Sequence, residues 1–107
     1  MFVEILQYQT AEGKRPFRDW LYSLKDVDTK FRIRARIDRL QLGNYGDCQS
    51  VGAGVFELRL HFGPGYRVYF ARDGDAIVIL LSGGDKSSQC KDIRRAHSFW
   101  EDYRRRK

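Results

Sequence analysis

Residues 54–70 read GVFELRLHFGPGYRVYF, and this stretch decides the fold. Apolar and polar residues alternate on both sides of Gly63-Pro64-Gly65, which is the pattern of two strands that each bury one face. The glycine-rich break between the two runs predicts that the chain turns back on itself there. The sequence therefore predicts a hairpin at the centre of a sheet.

The segments on either side of this hairpin have periodicities of their own. Upstream, apolar residues at helical spacing predict two helices, one beginning at Pro16 and one capped by Asp26 or Asp28. Downstream, Asp73-Gly74 predicts a tight turn, and the apolar run Ala76–Leu81 predicts a central strand. The predicted order is β-α-α-β-β-β-α, with a strand over 2–8, helices from 16 and from 26 or 28 up to 43, a loop over 43–54, strands over 56–62, 66–70 and 76–81 ended by Gly83-Gly84, and a last helix capped by Ser87 or Ser88.

One face of the predicted hairpin is polar. With a three-residue loop, His61 lies opposite Arg67 and Arg59 lies opposite Tyr69, with opposed Cβ atoms about 5 Å apart. Two opposed cations with no paired carboxylate repel each other, and Glu57 relieves only part of the repulsion. Such an arrangement is kept most readily where an anion binds, although both arginines can equally be outward residues bridged to carboxylates. A one-residue change of register would dissolve the quartet.

The net charge indicates an anionic partner. Twenty Lys and Arg residues against 14 Asp and Glu give +6, and the excess lies in two stretches, 30–39 and 94–107. Nucleic acid or an acidic protein fits this distribution, and solvated helix faces are the alternative. Lys86 stands in the stretch GGDKSSQ, residues 83–89, which opens the last helix. Helix N-termini attract anions, although a plain turn with a solvated lysine is the other interpretation.

Other classes of protein are disfavoured. No run approaches the roughly 18 apolar residues of a membrane span, and the first ten residues lack the plan of a signal peptide. Cys48, Cys90 and the two histidines do not have the spacing of a metal site, so no metal or cofactor is expected. The sequence predicts a cytoplasmic protein with reduced thiols and one domain over residues 1–107.

Three stretches together, 54–59, 63–70 and 80–89, resemble the RelE/ParE superfamily of toxins, and more narrowly its HigB-like, phage-derived addiction-module killer branch. The shared pattern reads E-L-R, then G-P-G-Y-R-V-Y-F, then G-G-x-K-x-x-Q, with further matching segments at 17–21 and 92–96. The resemblance implies an α+β fold with helices packed on a mostly antiparallel sheet. It also implies a cognate antitoxin, commonly a helix-turn-helix protein.

The resemblance also implies a site. Nuclease members of the superfamily cut mRNA, many of them on the ribosome, with basic residues on the sheet. By this resemblance Arg59, Arg67 and Lys86 are the candidate catalytic cations, and Tyr69 matches an aromatic position of the strand. The resemblance gives His61 no support. The candidate nucleic-acid contacts are Arg32, Arg34, Arg36, His61, Gln89, Lys91, Arg94 and Arg95.

These residue types suit RNA cleavage without a metal, in which the 2′-OH attacks the adjacent phosphate. The two arginines would hold the phosphate and stabilise the charge of the transition state. Lys86 would add a third charge or act as a base, and Tyr69 or His61 would protonate the leaving oxygen. The sequence thus predicts an endoribonuclease toxin that inhibits translation. Two alternatives stay open, namely a ParE-like inhibitor of DNA gyrase and a prophage relic that only binds its antitoxin.

Overall fold

A computed structural model describes residues 2–107 of the chain. The strands in this range are β1 (Glu4–Gln7), β2 (Cys48–Ser50), β3 (Val55–Leu60), β4 (Tyr66–Asp73) and β5 (Ile77–Asp85). The helices are α1 (Pro16–Ser23), α2 (Val27–Gln41) and α3 (Gln89–Arg106), and one turn of 3-10 helix (Lys86–Ser88) leads into α3.

The strands form one sheet in the order β1-β5-β4-β3-β2. β1 runs parallel to β5, and every other pair is antiparallel. Helices α1 and α2 pack on one face through residues such as Phe17 and Ile33. Helix α3 packs on the other face through Ala96 and Trp100. The predicted α+β fold with a mostly antiparallel sheet is confirmed.

Local signals set the helix ends. Pro16 stands in the first turn of α1, where its fixed φ suits a helix and its missing N–H costs nothing. Asp26 caps α2 by accepting a hydrogen bond from the Thr29 backbone N–H at 3.3 Å, which decides between the two predicted caps. Gly43 follows α2 with a φ of 85°, the left-handed conformation that ends many helices. Within residues 2–107, no helix combines the length and the hydropathy of a membrane span.

The register of the β3–β4 hairpin differs from the prediction by two residues. Arg59 lies opposite Arg67, and Leu60 lies opposite Tyr66, so the loop covers residues 61–65. The Gly65 N–H donates to the Phe62 carbonyl at 3.1 Å. This turn takes His61 and Phe62 out of the predicted strand, so β3 ends at Leu60. Because the shift is even, each strand residue keeps its predicted face.

Two segments predicted to be irregular are strand instead. Residues 48–50 pair with β3 as the edge strand β2, which the predicted loop over 43–54 did not include. Strand β5 continues through Gly83 and Gly84 rather than ending there. A Cβ on Gly83 would collide with the Trp20 ring, and one on Gly84 would collide with the Asp92 carboxylate. The two glycines thus let α1 and α3 approach the sheet closely.

Candidate active site

A buried carboxylate organises the polar side chains on the α3 face of β3 and β4. Glu57 has no exposed surface. Its Oε1 accepts a hydrogen bond from Arg59 Nε at 2.9 Å, and its Oε2 accepts from Tyr69 Oη at 3.0 Å and from Gln89 Nε2 at 2.8 Å. Arg67 Nε lies 3.8 Å from the same Oε2. We refer to these residues as the Glu57 cluster.

The backbone brings the cluster together. Glu57 and Arg59 share one face of β3 because side chains alternate along a strand. The register places Tyr69 opposite Glu57 and Arg67 opposite Arg59. Gln89 reaches the same carboxylate because it is the first residue of α3, directly above this end of the sheet.

The electrostatics of the cluster keep Glu57 ionised. Its burial opposes ionisation, but the hydrogen bonds from Arg59, Gln89 and Tyr69 together outweigh that effect and hold the pKa of Glu57 below its usual value. Burial, followed by the neighbouring Glu57 charge, raises the pKa of Tyr69 well above its usual range. The phenol therefore stays protonated, and a single carboxylate faces two guanidinium groups.

The cationic residues of the site lie near the turn between β3 and β4. The side chain of Arg59 is 31% exposed and that of Arg67 is 11% exposed. Arg67 Nη1 donates to the Gly65 carbonyl at 2.6 Å, while its buried Nε has no hydrogen-bond partner among the described residues. A Cβ on Gly65 would lie 2.8 Å from Arg67 Nη1 and 3.4 Å from the Cβ of Lys86. Lys86 is exposed, and within residues 2–107 it forms no ion pair.

Two of the candidate residues direct their polar groups to Glu57 rather than to solvent. Tyr69 has no exposed surface and donates its hydroxyl hydrogen to Glu57. Gln89 is only partly exposed, and its side-chain amide donates to the same carboxylate. Both residues therefore hold the carboxylate that orients the two arginines.

His61 does not join the cluster, so the predicted quartet is wrong. It lies in the loop beyond β3, its side chain is 71% exposed, and it pairs with Asp47. The hydrogen bond from His61, together with its charge, holds the pKa of Asp47 below its usual value. Since the two-residue shift of register moves His61 out of the strand, Arg59 takes its predicted place opposite Arg67.

Arg36 is used by the fold itself. Its guanidinium donates to the backbone carbonyls of Arg59, Tyr45 and Asp47. As an arginine between the apolar positions of α2, Arg36 would be expected to point outward, but these carbonyls attract it onto the edge of β3. Arg36 ties α2 to the strand that carries Arg59.

The other two arginines predicted on α2 are exposed. Arg32 pairs with Asp28 at 3.1 Å, and its guanidinium carbon lies 4.9 Å from the centre of the Phe62 ring. Arg34 lies beside Asp38 in a groove between α1 and α2. Of the two, only Arg32 lies next to the β3–β4 hairpin.

The basic residues predicted on α3 lie on its outer side. Lys91, Arg94 and Arg95 are exposed, and the Arg95 guanidinium lies 5.4 Å from the Phe99 ring centre. At the end of the helix, Arg106 pairs with Asp102 at 2.8 Å. These exposed basic residues near the start of α3 thus form a positively charged surface that runs along the helix from Gln89.

Glu57 has a weak signal in the sequence, although it is the centre of the cluster. A carboxylate two residues before Arg59, on the same face of a predicted strand, was the available signal. Its complete burial depends on α3, which covers this face, and on Gln89, which lies 32 residues further along the chain.

Comparison with known proteins places this region in a recognised family. The family model described as "Phage derived protein Gp49-like (DUF891)" matches residues 19–98. The chain belongs to this Gp49-like family. An "Uncharacterized protein" of Haemophilus influenzae is 55% identical over 80 residues, which cover 75% of this chain and 81% of that protein.

The Gp49-like region contains every candidate site residue, from Arg32 to Arg95. The Gp49-like family is phage-derived and toxin-like, of the addiction-module type. The resemblance to a phage-derived toxin family of the addiction-module type is thus confirmed. The narrower assignment to the RelE/ParE superfamily and its HigB-like branch stays a prediction.

Proposed function

We propose that this Gp49-like protein is the toxin of a type II toxin–antitoxin system and cuts mRNA, including message on the ribosome, as a metal-independent endoribonuclease. The observation that supports the proposal is the pair of opposed guanidiniums, Arg59 and Arg67, held by one buried carboxylate. Lys86 stands at the adjoining turn, with its Cβ close to Gly65, and adds a third positive charge near the pair. A phosphate group supplies the missing negative charge, and planar guanidinium groups match its geometry.

The proposed reaction moves bonds only within the RNA. The 2′-oxygen attacks the adjacent phosphorus, the bond from phosphorus to the 5′-oxygen breaks, and a 2′,3′-cyclic phosphate and a 5′-hydroxyl result. The proton of the 2′-OH leaves to solvent, and solvent returns a proton to the 5′-oxygen. Arg59 and Arg67 stabilise the negative charge that develops on the phosphoryl oxygens.

In this proposal Glu57, Tyr69 and Gln89 are positioning residues. Glu57 uses the Nε of Arg59 and leaves the terminal nitrogens of that side chain for the phosphate. Tyr69 and Gln89 fill the remaining acceptor sites of the carboxylate. A fixed guanidinium pair needs little reorganisation when charge develops, which is the main source of electrostatic catalysis.

The proposed partner is a cognate antitoxin, and a helix-turn-helix protein is the kind that the resemblance implies. Membership of an addiction-module family supports a neutralising partner. The high positive charge of the chain suits an acidic segment of such a protein.

The reaction predicts a specific sensitivity to the 2′-OH. Free RNA is expected to be cut in EDTA, and a single 2′-O-methyl group at the cut site is expected to abolish cleavage there, because the nucleophile is blocked. The measurement is the fragment pattern of end-labelled RNA, with the methyl group moved one nucleotide along as the matched control. EDTA cannot be used with mRNA on ribosomes, because ribosomes themselves need Mg²⁺. The methyl substitution is therefore the only test in that case.

Cutting of the methylated position, or a loss of cutting in EDTA that Mg²⁺ restores on free RNA, would contradict the proposal. An uncut message in a cell whose DNA supercoiling fails first would instead identify a gyrase inhibitor.

A further inference from the structure

A second surface at the same hairpin combines exposed aromatic rings with cations. Helix α2 and the end of β3 enclose an open cleft of about 320 Å³. Phe31 and Phe62 supply its rings, and Arg32, Arg39 and His61 are among the charged and polar residues around it. We refer to this as the Phe31 cleft.

Phe31 is unusually open to solvent. It is 70% exposed, although it lies on a helix that buries Ile33 and Leu40 completely. The Phe62 ring is fixed at the other side of the cleft, since Arg32 lies over it and Tyr66 contacts it with ring centres 5.5 Å apart. One side of the cleft is thus a ring in contact with its neighbours and the other a ring open to solvent.

The charges around the cleft favour an anionic occupant. Its lining contains arginines and His61 but no carboxylate. Asp28 and Asp47 pair with Arg32 and His61 from outside it. Aromatic rings beside positive charges are the combination with which proteins bind single-stranded nucleic acid, since bases stack on the rings and phosphates meet the cations.

The cleft also lies in the right place for a strand of RNA. Leu60 lines the cleft, and the preceding residue, Arg59, points to the opposite face, where it joins the Glu57 cluster. The loop over 61–65 ends the hairpin directly after these two residues. A single strand that bends around this loop passes from the cleft to the face that carries Arg59.

We propose that the Phe31 cleft binds one unstacked nucleobase of single-stranded RNA next to the scissile phosphate. The base stacks on Phe31, while Arg32 and Arg39 contact the flanking backbone. The inference rests on the proposed function, because it takes RNA to be the substrate. It adds a binding site for one base, and with it a source of sequence preference at the cut.

The test measures binding separately from cleavage. The probe is a fluorescent, fully 2′-O-methylated ten-nucleotide RNA, which the proposed reaction cannot cut, and the readout is anisotropy against the full-length protein. Phe31→Ala is expected to weaken binding about tenfold, the effect of losing one stacked base. Phe31→Tyr is expected to bind like the wild type, and Phe31→Leu like Phe31→Ala, because leucine is apolar but has no ring.

Tyr22→Ala is the matched control. Tyr22 is also an exposed aromatic residue, at 62%, but it lies on α1 outside the cleft, so its loss is expected to leave binding unchanged. A probe with one abasic nucleotide at the stacked position is expected to bind the wild type and Phe31→Ala equally.

Wild-type affinity of Phe31→Ala and Phe31→Leu, or an equal loss in Tyr22→Ala, would overturn the base-binding cleft. So would a Phe31→Ala variant that binds RNA normally but no longer binds the antitoxin, since the cleft would then be a protein interface. These outcomes are independent of the nuclease. If the wild type cuts RNA but the Phe31 substitutions leave binding unchanged, only the cleft proposal is refuted. If the Phe31 variants bind as expected but unmethylated RNA is not cut, only the nuclease proposal is refuted.

Discussion

Replacing Arg67 with alanine is expected to lower the rate of mRNA cleavage by about 10²–10³-fold, the loss seen when one preorganised donor to a developing oxyanion is removed. Arg67 is the less exposed of the two guanidiniums and is fixed by Gly65 and Glu57. Arg67→Lys is expected to restore little, because an ammonium group cannot bind two phosphate oxygens in parallel. The measurement is the cleavage rate of a labelled message in a translation mixture.

Arg72→Ala is the matched control for this experiment. Arg72 is an exposed arginine on the same strand, β4, but it lies over Tyr45 on the opposite face. Its removal is expected to leave the cleavage rate unchanged. A folded Arg67→Ala protein that cuts at the wild-type rate would show that the guanidinium pair is not the catalytic site.

Replacing Glu57 with alanine is expected to lower the free energy of unfolding by about 3–5 kcal/mol, the usual cost of leaving a buried charge without its partner. The change removes the only carboxylate that Arg67 contacts among the described residues. It also leaves the hydroxyl of Tyr69 without its acceptor. The measurement is urea unfolding, with Asp47→Asn, which changes an exposed acid that pairs with His61 of the hairpin loop, as a control that is expected to have little effect.

Two further measurements identify the cause of that loss. The double variant Glu57→Ala, Arg67→Ala is expected to recover part of the stability, because no guanidinium is then left unpaired there. The folded-state pKa of Glu57 lies below its usual value, so its ionisation contributes fully above the unfolded pKa of about 4.3 and the contribution is lost as the pH falls through the folded value. Glu57→Gln should therefore flatten the decline in stability below about pH 4.3. Single and double variants of equal stability would show that the ion pair is not responsible.

The sequence was sufficient for the faces of the sheet but not for the register. Alternation placed Arg59 and Arg67 on one face, and the structure agrees because a shift of two residues preserves the alternation. The loop length was inferred from Gly63-Pro64-Gly65 alone. A turn that also includes Phe62 has the same alternation of apolar and polar residues, so the sequence cannot distinguish the two loop lengths. The predicted cross-strand partners of Arg59 and His61 are therefore wrong.

The parts of the site that escaped prediction depend on contacts between distant elements. Arg36 follows the helical pattern of an outward residue, yet it binds backbone carbonyls around β3, and carbonyls have no sequence signal. The pair Gly83-Gly84 predicts a strand end, whereas both glycines lie within β5 and leave room for Trp20 and Asp92, which pack against them. Gln89 reaches Glu57 only because α3 starts directly above β3.

The chemistry of the cut ends in mRNA recovered after the protein is induced tests the central claim most directly. If Arg59 and Arg67 stabilise attack by the 2′-OH, the wild type leaves a 2′,3′-cyclic phosphate on one fragment and a 5′-hydroxyl on the other, and Arg67→Ala leaves neither. Fragments that end in a 3′-hydroxyl and a 5′-phosphate, or intact messages in cells whose growth the protein has stopped, would contradict it.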